Sequence, residues 1–263
     1  MSFPAPPGSA PPEPPSFRVV VPERQPLGAA KAALVLVVYV LSQGVAGAIA
    51  VVAYGLLNGM DSLRGLDDMD PVLFLLAGAA GFVVGGPAIL LATRALQPVR
   101  SMREAVVPLG WVKTRPGVLV RAAGLGVAIA LLFGYAAEAI FPPGEVPQGP
   151  LIQAASAPGW QRIVFVVLAV LLAPLVEEFL FRGVLFTGMA RSWGVWPAGI
   201  IVTVLFALLH LADIAGYWPA LGVVALVGAA MLIVRIRTGS LWPAIAMHAG
   251  YNGVQVVVLY LQV

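Results

Sequence analysis

The sequence predicts an all-α membrane protein, a polytopic bundle of transmembrane helices. Of its 263 residues, 60% are hydrophobic and only 10% are charged, and the mean hydropathy is +0.95. These values lie far outside the range of soluble globular chains. The apolar runs are long and unbroken, which favours helices over the alternating pattern of a membrane β-barrel. We therefore expect the lipid bilayer as a partner, and we expect no nucleic acid, because the basic residues flank apolar runs.

Seven apolar segments are candidates for membrane spans, and an eighth stays open. The last three are short or closely connected, so we expect one of them to be tilted, broken or re-entrant. The seven segments lie at about 32–57, 72–93, 117–141, 162–187, 194–211, 217–234 and 241–261.

The first 28 residues differ from the rest in composition. They are rich in proline and lack the apolar core of a cleavable signal peptide. We expect a disordered, proline-rich tail over 1–28 and a transmembrane domain over 29–263. The chain contains no cysteine, so disulfides, thiolate catalysis and cysteine-bound metals play no part in its chemistry.

Charged residues in the loops predict the orientation in the membrane. Basic flanks alternate with acidic or neutral ones, and cytoplasmic loops are the ones that carry excess lysine and arginine. We predict a cytoplasmic N-terminus. The alanine-, glycine- and valine-rich composition with few lysines is bacterial in style, which favours the inner membrane of a bacterium. The basic flanks are Arg18, Arg24 and Lys31; Arg94, Arg100, Arg103, Lys113 and Arg115; Arg191; and Arg235 with Arg237.

The stretch LLAPLVEEFLFRG, residues 171–183, places two carboxylates and an arginine inside a predicted span. A charged residue at the bilayer centre costs roughly 2.5–3.5 kcal/mol on insertion scales. Neighbouring helical residues point about 100° apart, so Glu177 and Glu178 should have different partners. Glu178 and Arg182 are one turn apart and should form an ion pair, which leaves Glu177 free to act as a general base. Pro174 should kink the helix or admit water there.

Two further segments, FALLH and HAGYN, place both histidines of the chain inside predicted spans. Phe206 and His210 are one turn apart, as are His248 and Asn252, so each pair shares a helix face. We predict that both imidazoles face a common site, where Asn252 supplies an amide and Phe206 shapes the pocket. At about 1.5 Å of rise per residue, His210 comes out deeper in the membrane than Glu177. A tilt or a sunken loop would remove that mismatch.

This set of groups on three helices can support two kinds of chemistry. It can activate a water molecule and stabilise an oxyanion, or it can bind a metal through Glu177, His210 and His248. No HExxH spacing is present, so the pattern does not choose between them. A buried structural network stays open as an alternative. So does an ion-coupled transporter, although we find no internal repeat to support one.

Taken together, EEFLFR, FALLH and HAGYN resemble the EExxxR, FxxxH and HxxxN/D motifs of the CPBP intramembrane proteases. This is the CAAX protease and bacteriocin-processing family, also called the Abi family. Its eukaryotic branch is the type II CAAX prenyl endopeptidase. The resemblance covers about 160–255 and implies an active site in a cavity among the last four spans. The N-terminal half is similar only in being helical membrane sequence.

The resemblance implies a role for each acidic and basic motif residue. Glu177 would activate the attacking water, and Glu178 and Arg182 would orient and support Glu177. The cofactor would be one divalent ion, zinc, or none, because both a metalloprotease and a metal-free glutamate mechanism are argued for the family.

The resemblance also implies roles for the other motif residues and an activity. His210 would help to hold the water or a metal, while His248 and Asn252 would line the oxyanion side. The implied reaction is hydrolysis of a peptide bond in a membrane-tethered peptide or protein, of CAAX type or in related C-terminal or peptide processing. The alternative is a non-catalytic membrane scaffold or bacteriocin self-immunity protein of the same architecture.

Overall fold

A computed structural model of the chain describes residues 27–59, 71–140, 155, 159–211 and 218–262. Within these ranges the protein is an all-α polytopic bundle, and we number its helices α1 to α8. They are α1 (Ala29–Asn58), α2 (Pro71–Ala95), α3 (Met102–Val106), α4 (Pro116–Ile140), α5 (Trp160–Trp193), α6 (Val195–Leu209), α7 (Trp218–Thr238) and α8 (Leu241–Gln262). Most of the predicted tail, residues 1–26, lies outside the described residues.

Each of the seven predicted spans corresponds to a helix of the described structure. Six of these helices are long and apolar enough to cross a membrane. The exception is α6, whose 15 residues extend about 22 Å, less than the roughly 30 Å hydrocarbon core. We expect one of the last three segments to be tilted, broken or re-entrant. Of the three helices, α6 is the shortest, with 15 residues. The additional helix, α3, has five residues.

Helices α1 and α2 form an antiparallel pair that lies beside α5. The outer face of α1 carries large apolar side chains such as Leu41, Ile49 and Leu56, which are exposed as expected for contact with lipid. On the inner face, glycines of α2 leave room for side chains of α1. A Cβ at Gly85 would come within 2.8 Å of the Tyr39 ring. The pair is therefore held together by side chains of α1 seated over glycines of α2.

Helix α5 carries the acidic motif and departs from α-helical geometry twice. Its segments Val167–Leu172 and Phe179–Leu185 are π-helical, and the α-helical turns Ala173–Glu178 lie between them. Pro174 has no N–H, so the ordinary i→i−4 hydrogen bond is missing at that point. The N–H of Ala173 donates instead to the Leu168 carbonyl, in i→i−5 register. Such π segments are rare and are frequent at functional sites.

The connection after α3 is part of the protein core. Leu109 is fully buried, and its carbonyl accepts a hydrogen bond from Arg235 Nη2 at 3.1 Å. The ring of Trp111 contacts Phe179 and Trp242 at centroid distances of 5.5 and 5.1 Å. The connection after α3 therefore packs against the second π segment of α5, through the contact of Trp111 with Phe179.

Candidate active site

Glu177 faces a cavity of about 760 Å³ that lies among α1, α2, α5, α6 and α8. The lining is mostly apolar. The polar side chains along it are Tyr39, Gln43, Glu177, His210, His248, Asn252 and Gln255. A large apolar cavity with a few convergent polar groups is the usual form of a binding or catalytic site.

The carboxylate of Glu177 lies between the two imidazoles. Its Oε2 is 3.9 Å from His210 Nε2 and 3.9 Å from His248 Nε2. Within the described part of the chain, this buried oxygen has no hydrogen-bond partner. One imidazole nitrogen from α8 and one from the end of α6 therefore lie equally far from this carboxylate oxygen of α5, and all three residues line the cavity.

Hydrogen bonds on the far side of each ring fix the imidazole tautomers. His210 Nδ1 lies 2.8 Å from the Phe206 carbonyl oxygen, and His248 Nδ1 lies 3.0 Å from Glu178 Oε1. A carbonyl or carboxylate oxygen only accepts, so Nδ1 is the donor in both rings. In each ring, Nε2 is then the nitrogen that faces Glu177.

Glu178 is the partner of both Arg182 and His248. Arg182 Nη1 donates to Glu178 Oε1 at 2.9 Å, and both side chains are almost completely buried. Arg182 Nη2 also donates to the Gly228 carbonyl on α7, at 2.7 Å. The two adjacent acids thus have different surroundings: Glu178 holds helices together, and Glu177 faces the cavity.

Phe206 packs among the charged and imidazole groups. Arg182 Cζ lies 4.2 Å from the centroid of its ring, within cation–π range. The centroid is 4.7 Å from that of His210 and 6.0 Å from that of His248. Phe206 is buried, so it both fixes the two imidazoles and excludes water from the back of the site.

Asn252 lines the cavity but has a partner in the backbone of α5. Its Nδ2 donates to the Ala169 carbonyl at 2.8 Å. That carbonyl has lost its helical donors, because the N–H of Ala173 goes to Leu168 and Pro174, the next residue, has no N–H. The amide of Asn252 therefore completes the hydrogen bonding of the π segment.

The short length of α6 explains how His210 reaches the site. The helix ends at Leu209, and His210 lies at its C-cap with φ −91° and ψ 1°. The predicted span 194–211 was thus slightly too long at this end. The depth mismatch derived from helix rise is absent, since the Nε2 atom of His210 lies as close to Glu177 as that of His248 does.

The candidate metal ligands do not fit a zinc ion as they are placed. Two zinc bonds of 2.0–2.1 Å at the tetrahedral angle would put the ligand atoms about 3.4 Å apart, whereas Glu177 Oε2 is 3.9 Å from each imidazole nitrogen. Among the residues that the structure describes, no group of three His, Cys, Asp or Glu side chains could hold a metal. The spacing suits a water molecule with hydrogen bonds of about 2.8 Å.

Sequence reasoning missed the polar residues that α1 and the end of α8 add to the cavity. Tyr39, Gln43 and Gln255 line it together with Glu177. Gln255 had a signal in the sequence, since it lies seven residues after His248 and three after Asn252 and so shares their helix face. Tyr39 and Gln43 are one turn apart in the first predicted span, but that spacing does not show which helix they face.

Fold and site together define an integral, multi-pass membrane protein with a carboxylate and two imidazoles around one cavity. A family model described as type II CAAX prenyl endopeptidase Rce1-like matches residues 158–254. The matched range contains all three motifs and confirms the resemblance to CAAX-type intramembrane proteases. No curated protein and no solved structure matches the chain.

Proposed function

We propose that the protein is an intramembrane endopeptidase that hydrolyses a peptide bond of a membrane-tethered polypeptide with a water activated by Glu177. The observation that carries the proposal is the convergence of Glu177 Oε2 with two imidazole Nε2 atoms at 3.9 Å. The family match and the mostly apolar cavity beside these groups support a lipid-embedded peptide substrate.

The proposed mechanism places one more proton on this cluster than it carries with two neutral imidazoles. With both imidazoles neutral, Glu177, Glu178 and Arg182 leave the cluster with one net negative charge. One additional proton makes it neutral, which a low-dielectric membrane interior favours. The same proton is needed for hydrogen bonding, because a water has only two protons to donate to three acceptors. The proposed reaction requires this proton on Nε2 of His248, whose Nδ1 is bonded to Glu178.

The reaction follows from these positions. Glu177 takes a proton from the water as the water oxygen attacks the scissile carbonyl carbon, and the Nε2–H of His248 donates to the developing oxyanion. The carbon–nitrogen bond then breaks, and the proton on Glu177 passes to the leaving amine. His210 holds the water in line for attack, and Phe206 limits access of further water. No step requires a metal.

Comparison of membrane polypeptides between strains tests the proposal and requires no identified substrate. We expect at least one membrane-associated polypeptide to be longer in a strain that carries Glu177→Gln than in wild type. General base catalysis is worth about 10²–10⁴ in rate, so processing should be almost absent in the variant. Glu104→Gln removes an exposed carboxylate after α2 and serves as the matched control.

Identical polypeptides in the Glu177→Gln and wild-type strains would contradict the proposal and leave the scaffold or self-immunity role. The same comparison after treatment with a chelator tests the cofactor prediction. We expect processing to continue, and its loss with recovery on zinc addition would instead assign a metal mechanism. Reporter fusions at the N-terminus test the proposed cytoplasmic orientation in a bacterial inner membrane.

A further inference from the structure

Helix α1 brings two polar side chains to the wall of the active-site cavity. Tyr39 and Gln43 line it together with Glu177, and they lie outside the matched range 158–254. Tyr39 is almost completely buried. Polar groups inside a membrane bundle are costly, and they usually face a partner or a substrate path.

Two glycines of α2 hold this pair in position. A Cβ at Gly85 would meet Tyr39 Cε2 at 2.8 Å, and a Cβ at Gly81 would meet Gln43 Oε1 at 2.8 Å. A Cβ at Gly85 would displace the ring of Tyr39, and a Cβ at Gly81 would displace the flexible end of Gln43. Their orientation across the cavity wall is set by packing between α1 and α2.

The hydrogen bonding of the pair leaves groups free to bind a ligand. The amide of Gln43 lies beside the ring of Tyr39, since both reach the same notch at Gly85. The Gln43 Nε2 lies on the Tyr39 side, near Gly85, while Oε1 lies toward Gly81. With the amide N–H as donor to the phenol oxygen, the phenol proton can be donated to a ligand, and so can the second N–H of the amide.

We propose that Tyr39 and Gln43 bind the peptide backbone of the substrate next to the bond that Glu177 hydrolyses. An extended peptide in an apolar cavity has no water for its amide groups and needs polar partners from the protein. Tyr39 donates to a backbone carbonyl, and Gln43 pairs with a neighbouring peptide group. The inference rests on the proposed function and extends the substrate site to a helix outside the matched segment.

Kinetics on purified protein in liposomes test the pair. The substrate is the polypeptide that accumulates in the Glu177→Gln strain. We expect Tyr39→Phe and Gln43→Leu each to lower kcat/KM by roughly 10-fold to 100-fold, because each leaves a peptide group unpaired. Gly85→Ala should have a similar effect by displacing the Tyr39 ring. Gly44→Ala, where a Cβ meets nothing within 4 Å, is the matched control and should cleave normally.

A change in the substrate separates binding from a general loss of fold. A synthetic copy of the cut segment carries an ester in place of the amide next to the scissile bond. Wild type should cleave this ester analogue about 10-fold more slowly than the amide, because an ester lacks the N–H and is a weaker acceptor. The Tyr39→Phe/Gln43→Leu double variant, which has already lost both contacts, should lose little more.

Unchanged kcat/KM in both variants, or equal ester effects in wild type and variants, would overturn this inference and leave the proposed function standing. Absence of any cleavage that depends on Glu177 would overturn both. The two failures are thus distinguishable in one set of measurements.

Discussion

The hydrogen bond from Asn252 to the backbone of α5 gives a prediction that depends on geometry alone. Replacement of Asn252 by leucine keeps the approximate size of the side chain and removes the donor. The Ala169 carbonyl is then left without a partner inside a helical bundle, since Pro174 supplies no N–H. Replacement of Pro174 by alanine restores an N–H one position after Ala173, where continued i→i−5 register would direct it to Ala169.

The bond is 2.8 Å long, a normal hydrogen-bond length, so the expected magnitudes are those of comparable hydrogen bonds. Side-chain hydrogen bonds between membrane helices contribute about 0.6 kcal/mol on average and up to about 1.7, and an unpaired buried acceptor costs about 1–3 kcal/mol. We expect Asn252→Leu to lower the free energy of unfolding by about 1–2 kcal/mol. In the Pro174→Ala background the same change should cost about 0.5 kcal/mol or less.

A double-mutant cycle measured by denaturant unfolding in detergent isolates the coupling. The cycle cancels any separate effect of Pro174→Ala on the unfolded chain. A coupling of about 1 kcal/mol supports the assignment of Asn252 to the π segment. Costs that add to within about 0.3 kcal/mol would refute it, because they would show that the proline and the amide do not act on the same carbonyl.

Three further predictions concern the cluster and its chemistry. Arg182→Leu should destabilise the fold by about 3–5 kcal/mol, because it removes the arginine partner of a fully buried carboxylate and leaves only His248 beside it; addition of Glu178→Gln should recover most of this loss in the same unfolding assay, and no recovery would contradict the ion pair. Phe206→Leu should lower kcat by about 10-fold while the chain still folds, since it frees both imidazoles; an unchanged kcat would contradict its positioning role. Purified protein dialysed against a chelator should keep its full rate, and elemental analysis should find less than one zinc per chain; one tightly held zinc would contradict the water-based mechanism.

The helices were largely predictable because membrane spans follow from composition over about 20 residues. The segment predicted at 162–187 lies inside α5 (Trp160–Trp193), and the last segment, 241–261, differs from α8 (Leu241–Gln262) by one residue. The end of α6 was less predictable. Leu209 and His210 belong to one apolar run, and the point at which a helix stops within such a run depends on tertiary packing.

Pairings within one helix turn were also predictable, whereas contacts between helices were not. The bond between Glu178 and Arg182 follows from i,i+4 spacing and is present at 2.9 Å. The bond from His248 to Glu178 joins residues 70 positions apart. Nothing in either local pattern specifies it. The catalytic roles assigned to the motif residues stay predictions until activity is measured.

The π segments of α5 and the part of the cavity lined by α1 could not be predicted from the sequence. Pro174 predicted a local disturbance, but its form depends on whether a donor such as Asn252 is brought to the freed carbonyl. Likewise, the four-residue spacing of Gly81 and Gly85 in the sequence indicates close helix packing only in general terms. That their notches hold the side chains of α1 beside Glu177 becomes visible only when α1 and α2 are placed together.

Oxygen isotope incorporation tests the central claim most directly. Purified wild type and Glu177→Gln proteins in liposomes are incubated in ¹⁸O-labelled water with the polypeptide that accumulates in the variant strain. We predict that wild type forms a product with one ¹⁸O in its new terminal carboxylate and that Glu177→Gln forms almost none. Labelled product at equal rates from both proteins would contradict the account, because the hydrolytic water would then be activated by something other than Glu177.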